Sequence, residues 1–194
     1  MISAIILAAG ESKRMTLGNK LLLRKNNVPL IKITFENIKA SKVDNISIVL
    51  GKNIESVKNI ISDKNVKFLK NNDYQNGIST SIKKGIENLN PASRGVLICL
   101  GDMPLIKTDT YNEIIDAFYK SNNQSIIPYF KKKRGNPILF SQLHFKELIS
   151  ITGDNGAKYF INEKKNEFLS ISVSDEGILF DIDNKKQFKS FIKK

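Results

Sequence analysis

The chain has 194 residues, of which 41% are hydrophobic and 26% are charged, and its net charge is +12. This composition excludes a disordered or fibrous chain and predicts a single globular domain over residues 1–194. No apolar run reaches the length of a membrane span, and no basic segment leads into an apolar stretch with a cleavage site. We therefore expect no membrane partner and no signal peptide.

The positive charge does not by itself indicate a nucleic-acid-binding protein. Only four of the 31 basic residues are arginines, and the lysines are scattered along the chain without interleaved aromatic residues. We expect no nucleic-acid partner, although the field would attract small anionic substrates. The single cysteine, Cys99, lies in the apolar run 96–100, which predicts a buried thiol and a cytoplasmic location.

Short apolar segments alternate with amphipathic segments along the chain. Strands are predicted at Ser3–Ala8, Asn45–Leu50, Val66–Leu69, Gly95–Leu100, Gln124–Pro128, Pro137–Phe140 and Phe168–Val173. Helices are predicted at Pro29–Ala40, Ile54–Ile61, Ile78–Leu89, Thr108–Tyr119, Gln142–Ile149, Gly156–Asn162 and Asn184–Lys193. This alternation predicts an α/β fold with a mostly parallel sheet and right-handed crossovers. In such sheets ligands bind beyond the carboxyl ends of the strands.

The first predicted strand ends in a loop of small residues flanked by cations. Ala9 and Gly10 are followed by Lys13, Arg14 and Lys20. Backbone amides in such a loop can surround phosphates while the cations neutralise them, which indicates a site for a nucleoside triphosphate. The alternative is a core strand with a solvated turn, because turns from a strand into glycine are common in α/β folds. Neither the Walker pattern nor the G-x-G-x-x-G pattern is present.

Asp102 follows the apolar strand Gly95–Leu100 and a glycine, and it precedes Met103 and Pro104. This position places its carboxylate at the carboxyl edge of the sheet, beside the first loop. One carboxylate with phosphate oxygens and water is a ligand set that Mg²⁺ prefers. The alternative is a cap for the helix predicted at Thr108, but six residues separate the two positions, which is too far for direct capping.

The segment 71–82 enters a predicted helix through Gly77 and small hydroxyl residues. Free amides and hydroxyls at a helix N-terminus can hold an anion or read the edge of a base. The alternative is ordinary capping by Ser79 or Thr80.

Four later features remain, and two of them leave two interpretations each. The basic turn 131–137 is either a site for a phosphate-bearing acceptor or a solvated turn. Asp154 lies in a glycine-bounded turn and is a possible helix cap. Asp181 and Asp183 would add carboxylates to a metal or cap the last helix. The only histidine, His144, is expected to be a surface or packing residue.

The scarcity of histidine and cysteine limits the chemistry. A Cys–His pair and a zinc cluster are not expected, and a Ser-His-Asp triad would depend entirely on His144. Phosphoryl or nucleotidyl transfer to an ionised phosphate needs no protein base, since placement and charge neutralisation carry most of the catalysis.

Six motifs, spread over nearly the whole chain, together resemble the MobA-like nucleotidyltransferases, with the molybdenum cofactor cytidylyltransferase branch as the nearest match. They are Leu7-Ala8-Ala9-Gly10-x-Ser12-x-Arg14-Met15 with Lys20-Leu21-Leu22, Gly77-x-Ser79-x-Ser81, Gly101-Asp102-Met103-Pro104, Arg134-Gly135-Asn136-Pro137, Gly153-Asp154-x-Gly156-Ala157 and Asp181-Ile182-Asp183.

The resemblance implies a three-layer α/β/α Rossmann-like domain of the nucleotide-diphospho-sugar transferase type. It implies transfer of CMP from CTP to the terminal phosphate of molybdopterin or its metal-bearing form, with Mg²⁺ as cofactor and pyrophosphate as product. In this scheme Arg14 would hold the triphosphate, Lys20 would neutralise the α-phosphate, and Asp102 would bind the metal. A molybdenum hydroxylase is the implied recipient of the product.

The resemblance also implies two sets of binding residues. The nucleotide would be bound by Leu7, Ala8, Ala9, Gly10, Ser12, Arg14, Lys20, Gly77, Ser79, Ser81 and Asp102. The acceptor would be bound by Arg134, Asn136, Asp181 and Asp183.

Two positions bear on specificity. Thr16 stands where relatives usually have glycine, and threonine is costly there if the backbone needs a positive φ. Ala9 stands where guanylyl-transferring relatives tend to have glycine, so its methyl group favours cytosine over guanine. The alternatives are transfer from GTP or another nucleotide to molybdenum cofactor or a sugar phosphate, and a non-catalytic chaperone that delivers the cofactor to a hydroxylase.

Overall fold

The computed structural model describes residues 1–11, 15, 18–52, 54–154 and 156–193. Its strands are β1 Ile2–Ala8, β2 Arg24–Lys25, β3 Val28–Pro29, β4 Asn45–Leu50, β5 Val66–Lys70, β6 Gly95–Leu100, β7 Ser125–Phe130, β8 Lys133–Arg134, β9 Ile138–Ser141 and β10 Phe168–Ser172. Its α-helices are α1 Leu30–Lys39, α2 Ile54–Ile61, α3 Ile78–Ile86, α4 Thr108–Lys120, α5 Phe145–Ser150, α6 Lys158–Glu163 and α7 Lys185–Lys193. Every predicted strand and helix is confirmed, with ends shifted by up to three residues.

The main sheet has the strand order β10-β7-β9-β6-β1-β4-β5, and β8 pairs with β7. Strand β1 is parallel to β4 and β6, whereas β9 is antiparallel to β6 and β7. The predicted mostly parallel sheet is therefore confirmed, with an antiparallel insertion. Strands β7, β8 and β9 follow one another through short connections, which cannot make the crossover that parallel neighbours require.

The sheet separates two apolar cores. Along β1, Ile2, Ala4 and Ile6 face the core that contains α1, α2 and α4. Ile5 and Leu7 face the opposite core, which contains α3, α5 and α6. Because side chains alternate along a strand and both faces are covered, β1 is apolar at nearly every position. The arrangement confirms the three-layer α/β/α fold.

Two tight hairpins were not predicted as pairs of strands. Asn26 and Asn27 connect β2 to β3 with φ of 49° and 64°, and Lys131 and Lys132 connect β7 to β8 with φ of 47° and 65°. Two consecutive residues with positive φ match the twist of the flanking strands, and asparagine tolerates this conformation well. The basic turn in the sequence is thus the tip of the β7–β8 hairpin.

The N-terminus of α4 is capped by a residue far along the chain. The carboxylate oxygen Oδ2 of Asp175 accepts hydrogen bonds from the backbone N–H of Lys107 at 2.9 Å and from Oγ1 of Thr110 at 2.8 Å. Asp102 is therefore not needed as the cap of this helix, in agreement with the sequence spacing.

Cys99 is buried and forms no disulfide, as predicted, and burial raises the pKa of its thiol. Within the described part of the chain, no helix is long and apolar enough to cross a bilayer.

His144 is a packing residue, which confirms the prediction. Its ring is stacked on Phe168, with centroids 5.4 Å apart, and meets the edge of Phe160 at 5.2 Å. Burial lowers the pKa of His144 below its ordinary 6.5, and the nearby carboxylates of Glu167 and Glu147 offset this only in part. The folded state therefore favours the neutral imidazole.

This burial makes stability depend on pH. Below about pH 6.5 the unfolded chain takes up a proton that the folded chain resists, so the stability contributed by neutral His144 is present above that pH and lost below it. We expect the free energy of unfolding, measured by urea titration, to fall more between about pH 7.5 and about pH 5.5 in the wild type than in His144→Phe. Equal decreases in the two proteins would contradict this assignment.

Candidate active site

A cavity of about 510 Å³ opens at the carboxyl ends of β1 and β6. It is lined by Leu7, Ala8, Ala9, Gly10, Glu11, Lys20, Leu21, Tyr74, Gln75, Ile78, Ser81, Leu100, Asp102, Asp154, Asp181 and Asp183. The volume lies in the range of sites for small ligands. The structure thus places the cavity where the sequence predicts a ligand.

Lys20 is held between two carboxylates on one side of this cavity. It begins a short 3-10 turn, Lys20–Leu22, in which the Asn19 side chain accepts the backbone N–H of Leu21 at 3.0 Å. The Lys20 ammonium donates to Asp102 Oδ2 and, at 2.6 Å, to Asp183 Oδ1. These contacts join residues 82 and 163 positions apart in the sequence.

The three charged side chains are only 14–20% exposed, so their interaction is less screened than that of surface ion pairs. Burial alone would lower the pKa of Lys20, but the charges of Asp102 and Asp183 and the hydrogen bonds to them outweigh it and raise that pKa above 10.5. Lys20 is therefore a permanent cation at the carboxyl edge of the sheet.

Asp181 completes the acidic side of the cavity. Burial, followed by the negative charges of Asp183 and Asp102, raises the pKa of Asp181 above its usual 3.8. Burial is the largest cause of this shift, and the two neighbouring carboxylates add to it, so a nearby positive charge would favour the ionised form of Asp181.

Asp181 and Asp183 do not cap the last helix, so that interpretation of the sequence is wrong. The cap of α7 is Asn184, whose Oδ1 accepts the backbone N–H of Gln187 at 3.0 Å. Between the two aspartates, Ile182 is buried against α7, and its N–H donates to the backbone oxygen of Asp102 at 3.1 Å. This hydrogen bond ties both aspartates to the end of β6.

The other side of the cavity is built by the segment that enters α3. A 3-10 turn, Tyr74–Asn76, leads through Gly77 into the helix, and Tyr74, Gln75, Ile78 and Ser81 line the cavity. The buried side chain of Asn71 supports this wall, because its Nδ2 donates to the Oγ of Ser81 at 3.0 Å.

The structure separates Ser79 from Ser81. Residues two apart on a helix point to different sides, and Ser79 lines a second cavity of about 430 Å³ rather than the first. Neither Ser79 nor Thr80 caps α3 through its side chain; Gly77 occupies that position. Ordinary capping by these hydroxyls is therefore wrong for this helix.

Most of the predicted nucleotide-binding residues meet in the main cavity, and so do two predicted acceptor residues. These are Leu7, Ala8, Ala9, Gly10, Lys20, Ser81, Asp102, Asp181 and Asp183. Gly77 is not among the residues that line this cavity. Ser12 and Arg14, together with Thr16, fall outside the described residues.

Arg134 and Asn136 do not line this cavity. Arg134 lies in β8 and pairs with Tyr129 of β7, and its guanidinium is 3.4 Å from Oδ1 of Asn162. The backbone N–H of Asn136 donates to the oxygen of Ile178 at 3.0 Å. In this structure both residues support the hairpin beside the sheet.

A profile of the MobA-like NTP transferase domain matches residues 4–168. The chain belongs to this family. The match runs from within β1 to the first residue of β10 and includes Lys20, Asp102 and the segment that enters α3. This MobA-like domain therefore carries a nucleotidyltransferase fold and, at the expected edge of the sheet, a cavity with the charged groups described above.

Individual relatives agree with this assignment. The bifunctional protein GlmU of Clostridium beijerinckii is 30% identical over 125 residues, covering 64% of this chain and 27% of that protein. GlmU of Staphylococcus epidermidis is 28% identical over 164 residues, covering 84% of this chain and 34% of that protein. The MobA-like domain thus spans about a quarter to a third of the length of the curated relatives it matches.

Among solved structures, Rv0371c from Mycobacterium tuberculosis superposes with a TM-score of 0.87 at 20% identity, covering 100% of this chain and 98% of that chain. The manganese complex of Rv0371c gives a TM-score of 0.86, with the same identity and coverage. At this identity the comparison shows a shared fold, that of the nucleotide-diphospho-sugar transferases.

The acidic side chains of this MobA-like domain fit a divalent cation bound together with phosphates. Asp102, Asp181 and Asp183 offer hard oxygen ligands in one cavity. Among the described residues, no group of three His, Cys, Asp or Glu side chains has the geometry of a metal site made by protein alone. An ion held here would thus need substrate oxygens or water to complete its coordination.

Several cavity residues of the MobA-like domain were not predicted as site residues, namely Glu11, Leu21, Tyr74, Gln75, Ile78, Leu100 and Asp154. Asp154 was interpreted as a possible helix cap, which is wrong because α6 begins at Lys158 after Ala157, with no side-chain cap. A useful signal for Tyr74 and Gln75 was their position just after β5, at the carboxyl edge of the sheet.

Gly77 has a conformation that only glycine adopts readily, with φ of 104° and ψ of 167°. A Cβ at this position would lie 2.6 Å from the backbone oxygen of Gly153. We expect Gly77→Ala to lower the free energy of unfolding by about 2 kcal/mol or more, measured by urea denaturation.

Gly10→Ala is the matched control, because a Cβ at Gly10 meets nothing within 4 Å. We expect this variant to change the free energy of unfolding by less than about 1 kcal/mol. Similar decreases in the free energy of unfolding for the two variants would show that neither the positive φ of Gly77 nor its close approach to Gly153 requires glycine.

Proposed function

We propose that this domain transfers CMP from CTP to the terminal phosphate of a molybdopterin-type acceptor, with Mg²⁺ as cofactor and pyrophosphate as product. The observation that carries the proposal is the placement of Lys20, Asp102 and the Ala9–Gly10 loop around one cavity. A cation, a carboxylate and a strand-end loop are the groups that bind and neutralise a triphosphate. A molybdenum hydroxylase is the proposed recipient of the product, in the cytoplasm.

Residues of the first loop would bind the triphosphate through their backbone amides, with Ser12 and Arg14 contributing side chains. Lys20 would neutralise the α-phosphate as negative charge develops during transfer. Asp102, with Asp181 or Asp183, would hold the metal. The bound Mg²⁺ would supply electrostatic stabilisation of the phosphate oxygens.

Nucleotidyl transfer suits this cavity because it needs no general base from the protein. The acceptor phosphate is already ionised at neutral pH, so the side chains have to position two polyanions and reduce their repulsion. Lys20 would reduce the repulsion between the polyanions, because its raised pKa keeps it positively charged. The only histidine is stacked in the core and is not among the residues of the cavity.

CTP is proposed over GTP because Ala9 is one of the residues that line the cavity. A methyl group at this position narrows the space for the base and so favours a pyrimidine. For the acceptor, Arg134 and Asn136 are proposed from their place in the family motif, and they would have to act from outside the cavity described here.

The similarity to GlmU favours a second candidate, nucleotidyl transfer to a sugar phosphate. Both candidates use the same nucleotide site; they differ in the acceptor and in which nucleoside triphosphate is the donor. One experiment separates them: the chain is incubated with each of the four nucleoside triphosphates and Mg²⁺, with molybdopterin or with a panel of sugar 1-phosphates, and products are identified by mass spectrometry.

The proposal expects a cytidine dinucleotide of molybdopterin together with released pyrophosphate. A nucleotide-sugar product would instead support the second candidate, nucleotidyl transfer to a sugar phosphate. Binding of nucleotide without any product from either acceptor would contradict both transfer reactions and favour the cofactor-delivery chaperone.

A further inference from the structure

Asp154 lines the cavity but takes no part in the proposed transfer reaction. It lies in the connection between α5 and α6, and it lines the cavity together with Tyr74, Gln75 and Ile78. Across the part of the chain that the structure describes, no hydrogen bond or ion pair involves its carboxylate. The side chain is exposed, so its charge is available to a ligand rather than committed to a structural partner.

The position of Asp154 is set by contact with the start of α3. The backbone N–H of Ser79 donates to the oxygen of Gly153 at 3.3 Å, and a Cβ on Gly77 would lie only 2.8 Å from Oδ1 of Asp154. The carboxylate is therefore held directly over Gly77, where the absence of a side chain allows the two segments to approach.

This position differs from that of the Lys20 cluster. Helix α3 packs on one face of the sheet. Ile182, which lies between Asp181 and Asp183, packs with Leu30 of α1 on the other face. Asp154 and Lys20 thus belong to different layers of the fold, and the cavity lies between them. A ligand whose phosphates are neutralised by Lys20 presents its uncharged part to the α3 side.

The charge of Asp154 restricts what can face it. A carboxylate without a cation repels phosphates and carbonyl oxygens, and it accepts hydrogen bonds from N–H or O–H donors. Cytosine carries an exocyclic amino group on its ring edge, whereas uracil carries a carbonyl oxygen at the same ring position. At this ring position cytosine therefore offers a carboxylate a hydrogen-bond donor, whereas uracil offers it only an acceptor.

We propose that Asp154 selects the base, accepting a hydrogen bond from the amino group of cytosine and repelling the carbonyl oxygen of uracil. This inference rests on the proposed function, since it concerns the base of the nucleotide bound in the same cavity. A carboxylate that accepts a hydrogen bond from cytosine and faces an oxygen atom of uracil gives the two bases different binding free energies, although their shapes are equal.

The test is calorimetric titration of the full chain with CTP and with UTP in the presence of Mg²⁺, without acceptor. We expect the wild type to bind CTP about 10- to 100-fold more tightly than UTP. We expect Asp154→Ala to lose about tenfold or more of its CTP affinity and to bind UTP as well as before or better, so that the preference collapses. Asp154→Asn, which offers an N–H donor as well as an oxygen acceptor, should gain affinity for UTP.

Glu11→Gln is the matched control, because Glu11 is also an exposed acid of this cavity and its Oε1 lies 3.2 Å from Nε2 of Gln75. Both changes remove one negative charge, and a general electrostatic effect would alter CTP and UTP affinity by a common factor. We expect the control to leave the CTP-to-UTP ratio unchanged. Circular dichroism should show native spectra, since both side chains are exposed.

The outcomes distinguish this inference from the proposed function. If the wild type binds no nucleoside triphosphate, the proposed function fails at the first titration. If the wild type prefers CTP and Asp154→Ala keeps that preference, the role of Asp154 is overturned while the nucleotide site stands. Equal binding of CTP and UTP by the wild type also overturns the role of Asp154.

Discussion

Asp102→Ala is expected to lower kcat/KM for nucleotidyl transfer by about 1000-fold or more. The carboxylate ends β6 in the cavity, beside Lys20 and the Asp181–Asp183 segment, and it is the proposed metal ligand. Without this carboxylate, the divalent ion would lose a fixed ligand. The negative charge that develops on the phosphate in the transition state would then be less stabilised. The rate should be measured as pyrophosphate release over a series of Mg²⁺ concentrations.

The fold should survive this change, because Lys20 keeps its contact with Asp183. We expect the midpoint of thermal unfolding to shift by less than about 5 °C. Asp116→Ala is the control, since Asp116 forms an exposed ion pair with Lys42 and lies outside the cavity. Near-normal turnover of Asp102→Ala would remove the metal assignment.

Lys20→Ala is expected to lower kcat about 100- to 1000-fold, while the Kd of the nucleotide changes by less than about tenfold. The ammonium is held at the cavity wall by Asp102 and Asp183. In the proposed reaction its charge is needed most when the α-phosphate becomes pentacoordinate. Single-turnover rates and calorimetric titration with CTP measure the two quantities separately.

Lys42→Ala provides the comparison for Lys20, because it also removes a lysine from an ion pair but from an exposed one. We expect Lys42→Ala to leave both kcat and Kd unchanged. A large loss of nucleotide affinity in Lys20→Ala with an unchanged rate would assign Lys20 to ground-state binding instead.

Much of this structure follows from local sequence signals. The apolar runs of β1 and β6 are long enough to identify strands covered on both faces, and the spacing of Ile78, Ile82 and Ile86 identifies the buried face of α3. The positions of Gly10 and Asp102 just beyond strand ends placed both at the same edge of the sheet. These signals depend on neighbouring residues only, which is why single-sequence reasoning finds them.

The position of Asp154 shows where such reasoning stops. A glycine-bounded turn with an aspartate before a helix is typical of a cap, but the helix begins too late and the turn packs on Gly77 instead. Ser79 shows the same limit, because its motif resembles that of nucleotide-binding residues while its side chain faces another cavity. Both outcomes depend on the packing of α5 and its following loop against α3.

The amino-acid sequence alone determined the α/β class, the edge of the sheet at which the cavity opens, and the presence there of a loop and a carboxylate. Only the tertiary structure decided that Lys20, Asp102 and Asp183 meet and that Asp154 belongs to the same cavity. Strand and helix formation is governed by short-range periodicity, whereas contacts between residues 82 and 163 positions apart depend on how the layers pack.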